Sequence, residues 1–211
     1  MSSNPLDEWK TEFGDDYMKR NQPEAKSVKQ AAEVFSRIFK QGGLEGNIKN
    51  ALEVGANLGI NLRGIQSIYS SADLKLSAVE PNGVALKAIA EDSTLELEQC
   101  YHCSGQNIPC DDGVFDLVFT NGVLIHVPPS DLEQVISEIV RSSSRYILCS
   151  EYFSHEPIEI SYHSNSEMLW KRDFGKKYLE CFPELKVVNY GFIWMEEFSQ
   201  FDNLNWWLFE K

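Results

Sequence analysis

The sequence predicts a doubly wound α/β domain, with a seven-stranded, mostly parallel sheet and a helical extension at the N-terminus. Three observations carry this. From residue 50 onward, short apolar runs alternate with amphipathic segments, the pattern of strands joined by crossover helices. A glycine-rich turn, Gly55-x-x-x-Gly59, follows the first such run. The length of 211 residues suits one α/β domain with a full core and is short for two.

Residues 1–22 are largely polar with the aromatics Trp9, Phe13 and Tyr17 embedded, whose spacing puts all three on one helical face. That face either packs on the domain or covers its site as a lid. Val28, Ala31, Ala32, Phe35, Ile38 and Phe39 recur at helical spacing until Gly42-Gly43 ends the helix. Ala51 to Val54 is the first strand, and Leu62, Ile65 and Tyr69 mark the helix after it. Leu76 to Val79 is the second strand, followed by a helix with Val84, Ala88 and Ile89 facing inward. Leu95 to His102 reads as the third strand and Phe115 to Thr120 as the fourth. Ser130 and Glu133 form a capping-box pattern ahead of an amphipathic helix bearing Leu132, Val135, Ile136, Ile139 and Val140. Tyr146 to Ser150, Lys186 to Asn189 and Trp206 to Phe209 complete the set, with Trp194, Trp206 and Trp207 assigned to the core of the C-terminal strand pair. No repeat or linker interrupts the pattern. The expected organisation is a helical extension or lid over residues 1–45 and one domain over 46–211.

Hydrophobic residues at 43% and charged residues at 24% are ordinary globular values. The net charge of −13, from 32 acidic and 19 basic side chains, repels phosphate backbones and argues against nucleic acid as substrate. The N-terminus lacks a signal-peptide pattern, and no run approaches the ~18 apolar residues of a membrane span. The expectation is a soluble cytoplasmic protein with a small-molecule substrate, no membrane partner, and room for a homodimer. Cys100, Cys103, Cys110, Cys149 and Cys181 are odd in number, and Cys100-x-x-Cys103 has no second pair at metal-ligand spacing, so reduced thiols and no metal are expected.

In a doubly wound sheet the ligand sits at the carboxyl ends of the strands. After the first strand, Gly55 and Gly59 permit a tight turn and close backbone approach. After the second comes Glu80, placed to accept hydrogen bonds from both hydroxyls of a ribose. A dinucleotide fingerprint would need glycines at the first, third and sixth positions, which here hold Gly55, Asn57 and Ile60. The match fails. Glu53, near the end of the first strand, adds an acid suited to a cation or amino group.

The third strand leads into Ser104-Gly105-Gln106-Asn107-Ile108-Pro109, and Phe115-Asp116-Leu117-Val118-Phe119 leads to Thr120-Asn121-Gly122-Val123-Leu124-Ile125-His126-Val127. From residue 50 to about 151 this order of motifs resembles the class I S-adenosylmethionine-dependent methyltransferases, whose fold is Rossmann-like. Glu12 to Tyr17 with Arg20-Asn21, the loop Gly55 to Leu62 and Lys171-Arg172-Asp173-Phe174 resemble more narrowly the methylases associated with pseudaminic acid biosynthesis. The resemblance implies S-adenosylmethionine as cofactor, with S-adenosylhomocysteine as product. It implies Glu53 and Gly55 near the methionine amino and carboxylate groups, with Asn57 and Gly59 in the same turn. It also implies Glu80 on the ribose and Asn121 toward the methionine end. Ser104 stands where many relatives carry an adenine-contacting acid, leaving Ser104 with Gln106 or the backbone near Gly105 to make that contact.

Methyl transfer is an in-line displacement that needs alignment and, for a hydroxyl acceptor, a base. His126, His155 and His163 are the catalytic candidates, while core or rim packing is the plainer reading of His102. Tyr17, Tyr162, Lys171 and Arg172 are the substrate-binding candidates, the last two as a clamp for a carboxylate or phosphate. The substrate implied is a nonulosonic-acid-type sugar or its precursor, methylated on a hydroxyl or amine. The alternative is a catalytically degenerate methyltransferase fold that acts as a binding module in a glycan biosynthesis complex.

Overall fold

A computed structural model describes residues 5–70, 73–162 and 165–211, with backbone only for residues 5, 7, 12, 161, 162 and 165–168. The strands are β1 (Asn50–Val54), β2 (Lys75–Val79), β3 (Gln99–Tyr101), β4 (Phe115–Asn121), β5 (Ser143–Glu151), β6 (Ile158–Tyr162), β7 (Asn165–Lys171), β8 (Lys186–Ile193) and β9 (Leu204–Glu210). The helices are α1 (Pro5–Trp9), α2 (Glu12–Arg20), α3 (Ala25–Gly42), α4 (Ile60–Ile68), α5 (Gly83–Glu91), α6 (Leu132–Ser142) and α7 (Phe174–Cys181), with a 3-10 turn at Leu124–His126.

Seven strands form one sheet in the order β3-β2-β1-β4-β5-β9-β8. The first five in that order run parallel, while β9 is antiparallel to both β5 and β8. Period-two alternation sends the strand side chains to two cores. Ala51, Leu117, Phe119, Leu148 and Leu208 meet Phe35, Phe39, Leu62 and Ile65 of α3 and α4 on one face. Leu52, Val118, Ile147 and Phe209 meet Ile136, Ile139 and Tyr178 of α6 and α7 on the other. The chain winds outward from β1 to β2 and β3 on one side and then crosses back to β4 on the other, and this switch in strand order opens a crevice at the carboxyl ends of β1 and β4.

Several local expectations are corrected. The third strand keeps only Gln99–Tyr101 and lies at the sheet edge, so His102 is exposed and its ring bonds the Pro81 carbonyl at 3.2 Å. Ser130 does not cap α6; its hydroxyl donates to Asp131, and Glu133 is taken by Lys177 at 2.6 Å. In α5 it is Ala85 and Ile89 that are buried, whereas Val84 and Ala88 are exposed. Trp194 lies past the end of β8 and is exposed, unlike Trp206. The insertion after the fifth strand holds a separate hairpin, β6 with β7. All five cysteines are free thiols. No described helix is long and apolar enough to cross a membrane.

Candidate active site

A cavity of about 270 Å³ opens where β1, β2 and β4 end. Gly55 leaves β1 at φ 81°, and a Cβ there would stand 2.6 Å from Val123 Cγ2, so both the bend and the close approach require glycine. Asn57 follows at φ 47°, a left-handed conformation that asparagine tolerates better than most residues. Its N–H donates to Glu80 Oε2 at 2.7 Å. Glu80 Oε1 accepts from the Asn82 N–H at 2.8 Å, so two backbone amides fix this carboxyl at the end of β2. Burial raises its pKa, although both amide bonds oppose the rise.

Glu53 is only 1% exposed. Its Oε1 accepts from Asn61 Nδ2 at 2.7 Å, while its Oε2 has no partner. Burial pushes its pKa up to about 8, opposed by the Asn61 bond and reinforced by Glu80. Asn57 Oδ1, Asn121 Oδ1 and Trp9 Nε1 are likewise buried without partners. All four residues line the one cavity. Each unmatched buried polar group costs ~1–3 kcal/mol, which a ligand with complementary groups would recover.

On a further wall, Ser104 Oγ donates to Gln106 Oε1 at 3.3 Å, and Gln106 Nε2 donates to Asp131 Oδ2 at 2.7 Å. The loop after β3 places Ser104, Gly105 and Gln106 on this wall and no acid, but Asp131 at the head of α6 brings one there. β5 ends in the fully buried Glu151, whose carboxylate accepts from the Val123, Leu124 and Ile125 amides at 3.2, 3.1 and 3.3 Å. Burial lifts its pKa to about 7 against the pull of these amides. Glu151 thereby pins the 3-10 turn that presses Val123 onto Gly55 and presents His126 to the cavity.

The His126 ring lies 4.6 Å from that of Trp9, which meets Phe13 and Tyr17 edge-on at 5.0 and 5.2 Å. Asn82 Nδ2 ties α1 and α2 down, donating to the Trp9 carbonyl at 3.1 Å and to Asp15 Oδ1 at 3.0 Å. These helices give Leu6, Trp9, Tyr17 and Met18 to the cavity wall, and Asn21, which caps α2, joins them. Across from them the Tyr152 hydroxyl donates to the Asp202 carboxylate.

Of the residues singled out from sequence, Tyr17, Glu53, Gly55, Asn57, Glu80, Ser104, Gln106, Asn121 and His126 meet around this cavity. Gly59 instead caps α4 at φ 68°. The His155 side chain is exposed, 3.9 Å from Glu156, and is not in the wall. Lys171 and Arg172 also lie outside the wall. The Lys171 ammonium sits 4.6 Å from the centre of the Tyr152 ring, and the Arg172 guanidinium, its pKa lowered by burial, 5.8 Å from that of Phe174. Tyr162 is described by its backbone alone, and His163 lies outside the described residues.

Sequence reasoning missed Asn61, Asn82, Asp131, Glu151 and Asp202. Asn82 had a signal, since Pro81-Asn82-Gly83 two residues past Glu80 is a helix-cap composition, and its side chain does accept from Val84 and Ala85. Glu151 had one too, as an acid at the end of the strand-like run Tyr146 to Ser150.

Residues 52–144 match the family model described as a methyltransferase domain. No protein with a curated description matches the sequence. Among solved structures, the chain is similar to an S-adenosylmethionine-dependent methyltransferase from Leishmania major, at 17% identity over 99% of this chain and 87% of that one, with a TM-score of 0.71. It is similar to the Synechocystis magnesium protoporphyrin IX methyltransferase crystallised with S-adenosylmethionine, at 10% identity over 100% and 98% of the two chains, with a TM-score of 0.67. It is also similar to the 1,6-didemethyltoxoflavin-N1-methyltransferase of Burkholderia thailandensis, at 13% identity over 94% and 82%, with a TM-score of 0.64. At these identities the likeness is one of fold.

Proposed function

We propose that this S-adenosylmethionine-dependent methyltransferase acts on a hydroxyl or amine of a small sugar-like molecule, a nonulosonic-acid-type sugar of the pseudaminic acid pathway or its precursor. The observation that carries the cofactor reading is the set of orphaned oxygens, Glu53 Oε2, Asn57 Oδ1 and Asn121 Oδ1, around one cavity beside Glu80. They fit a ligand that brings an ammonium group, ribose hydroxyls and a positive sulfur. The described wall holds Glu53, Glu80, Asp131 and Asp202 and no lysine or arginine, which suits a cation. The sugar assignment has the sequence resemblance behind it, while the substrates named for the Burkholderia and Synechocystis proteins support a small-molecule acceptor in general.

When bound, the cofactor supplies a methyl group on a sulfonium centre whose carbon–sulfur electron pair stays with sulfur as the new bond forms. Glu53 and the Gly55 turn hold the methionine amino group, and Glu80 accepts from the ribose hydroxyls with its remaining lone pairs. Gln106 and Asp131 meet the adenine amino group, taking the place of the acid that Ser104 lacks. Asn121 contacts the methionine end. His126 removes the acceptor's proton, with its ring steadied against Trp9. A carboxylate on the substrate would meet Lys171 only beyond Tyr152, at the rim. The protein works in the cytoplasm in this reading. A homodimer would cover Tyr190 and Phe192 of the edge strand β8 and the adjoining Trp194, all exposed on alternate residues, and sedimentation velocity checks it.

Label transfer from methyl-labelled S-adenosylmethionine to a panel of aminated and hydroxylated hexoses and nonulosonic acids tests the function. Labelled sugar is expected. Cofactor binding without transfer to any member would favour a binding module instead.

A further inference from the structure

We propose that the indole N–H of Trp9 binds the carboxylate of the cofactor's methionine part, so that the N-terminal helices form a lid closed by the cofactor itself. This rests on the cofactor reading above.

The carboxylate is the anion of a ligand that is otherwise cationic or neutral. The described cavity wall offers it four carboxylic acids and no lysine or arginine, so a neutral N–H must receive it. Of the orphaned side-chain atoms in that wall, Glu53 Oε2, Asn57 Oδ1 and Asn121 Oδ1 are acceptors, and Trp9 Nε1 is the donor. A buried indole N–H ordinarily has a partner.

Its position agrees. On one side the Trp9 ring packs on His126, in the turn that follows Asn121 and seats Val123 against Gly55, which is the methionine end. On the other, the Trp9 carbonyl is held by Asn82, two residues beyond the ribose acid Glu80. Among the described side chains of α1 and α2, Met18 is the hydrophobic one in the buried core, and it packs in a small cluster with Leu58 and Ala85, separate from both main cores. A charged hydrogen bond from the ligand to Trp9 would tie this segment to the methionine end of the site.

The test compares S-adenosylhomocysteine with 5′-methylthioadenosine, which keeps the adenosine and the thioether but lacks the amino acid part. Trp9→Phe removes the N–H and keeps an aromatic ring. By calorimetry the variant is expected to bind S-adenosylhomocysteine roughly tenfold or more weakly, the scale of a hydrogen bond to a charged group, with 5′-methylthioadenosine affinity unchanged. In the wild type, S-adenosylhomocysteine but not 5′-methylthioadenosine is expected to slow amide exchange over residues 5–20. Equal weakening of both ligands, no weakening of either, or equal protection by both would overturn the inference. The wild-type exchange comparison decides the matter even if the variant folds poorly. If the wild type binds neither ligand, the cofactor reading falls first and this inference falls with it.

Discussion

Glu53 is held in a protonation state that its ligand would change. With a pKa of about 8 it is mostly neutral at pH 7, and a cation beside its unpartnered Oε2 would favour the carboxylate. Cofactor binding should therefore release a proton, and affinity should rise with pH up to about 8 and then level. Calorimetry in buffers of different ionisation heat reads the proton directly, and Glu53→Gln should remove it. Stability carries the opposite sign. Glu53 and Glu151 have folded pKa values raised above the ordinary carboxyl value, so the stability they contribute is complete below about pH 4.5 and lost as pH climbs through 7 and 8. The ligand-free protein should melt lower at pH 8.5 than at pH 6, and Glu53→Gln should narrow that gap. Glu80→Ala should weaken S-adenosylhomocysteine binding by ~1–3 kcal/mol through loss of charge-assisted hydrogen bonds; an unchanged affinity would place the ribose elsewhere.

Among the elements, the 3-10 turn Leu124–His126 depends on one carboxyl group from another strand. Glu151→Gln swaps an oxygen acceptor for an amide donor facing backbone N–H groups, and should cost ~1–3 kcal/mol of stability. Amide exchange of Val123, Leu124 and Ile125 should quicken in the same variant, which hydrogen exchange by NMR would resolve. The elements also show what a sequence discloses. Buried parallel strands such as β1, β4 and β5 were legible because their apolar runs are bounded by turns and helices. β3 was over-extended because an edge strand need not stay paired along its apolar length. Ile158-Glu159-Ile160-Ser161-Tyr162 alternates as a strand should, but its partner Asn165–Lys171 does not, so the β6–β7 hairpin does not stand out as a pair. The capping box failed because Lys177, 44 residues away, competes for Glu133. The glycine turn and Glu80 were visible as motifs, since each follows its strand directly. Asn61, Asp131 and Asp202 serve the site through partners that only tertiary folding brings near.

For the whole molecule, the charge of −13 and the acidic cavity act together. A site walled by Glu53, Glu80, Asp131 and Asp202 favours a sulfonium ligand over its neutral thioether product, which helps exchange one for the other after transfer. Affinity for S-adenosylmethionine should therefore exceed that for S-adenosylhomocysteine at low salt and approach it as salt is raised, a comparison that titration at two ionic strengths makes. Most residues of the two cores lie away from the cavity wall, so the fold is expected to stand without the ligand. That separation makes the central claim testable on the isolated protein. Calorimetric titration of S-adenosylhomocysteine into the folded chain at pH 8 should show one molecule bound per chain, with the binding lost or weakened in Glu80→Ala. No binding heat from protein whose melting transition is intact would contradict the account.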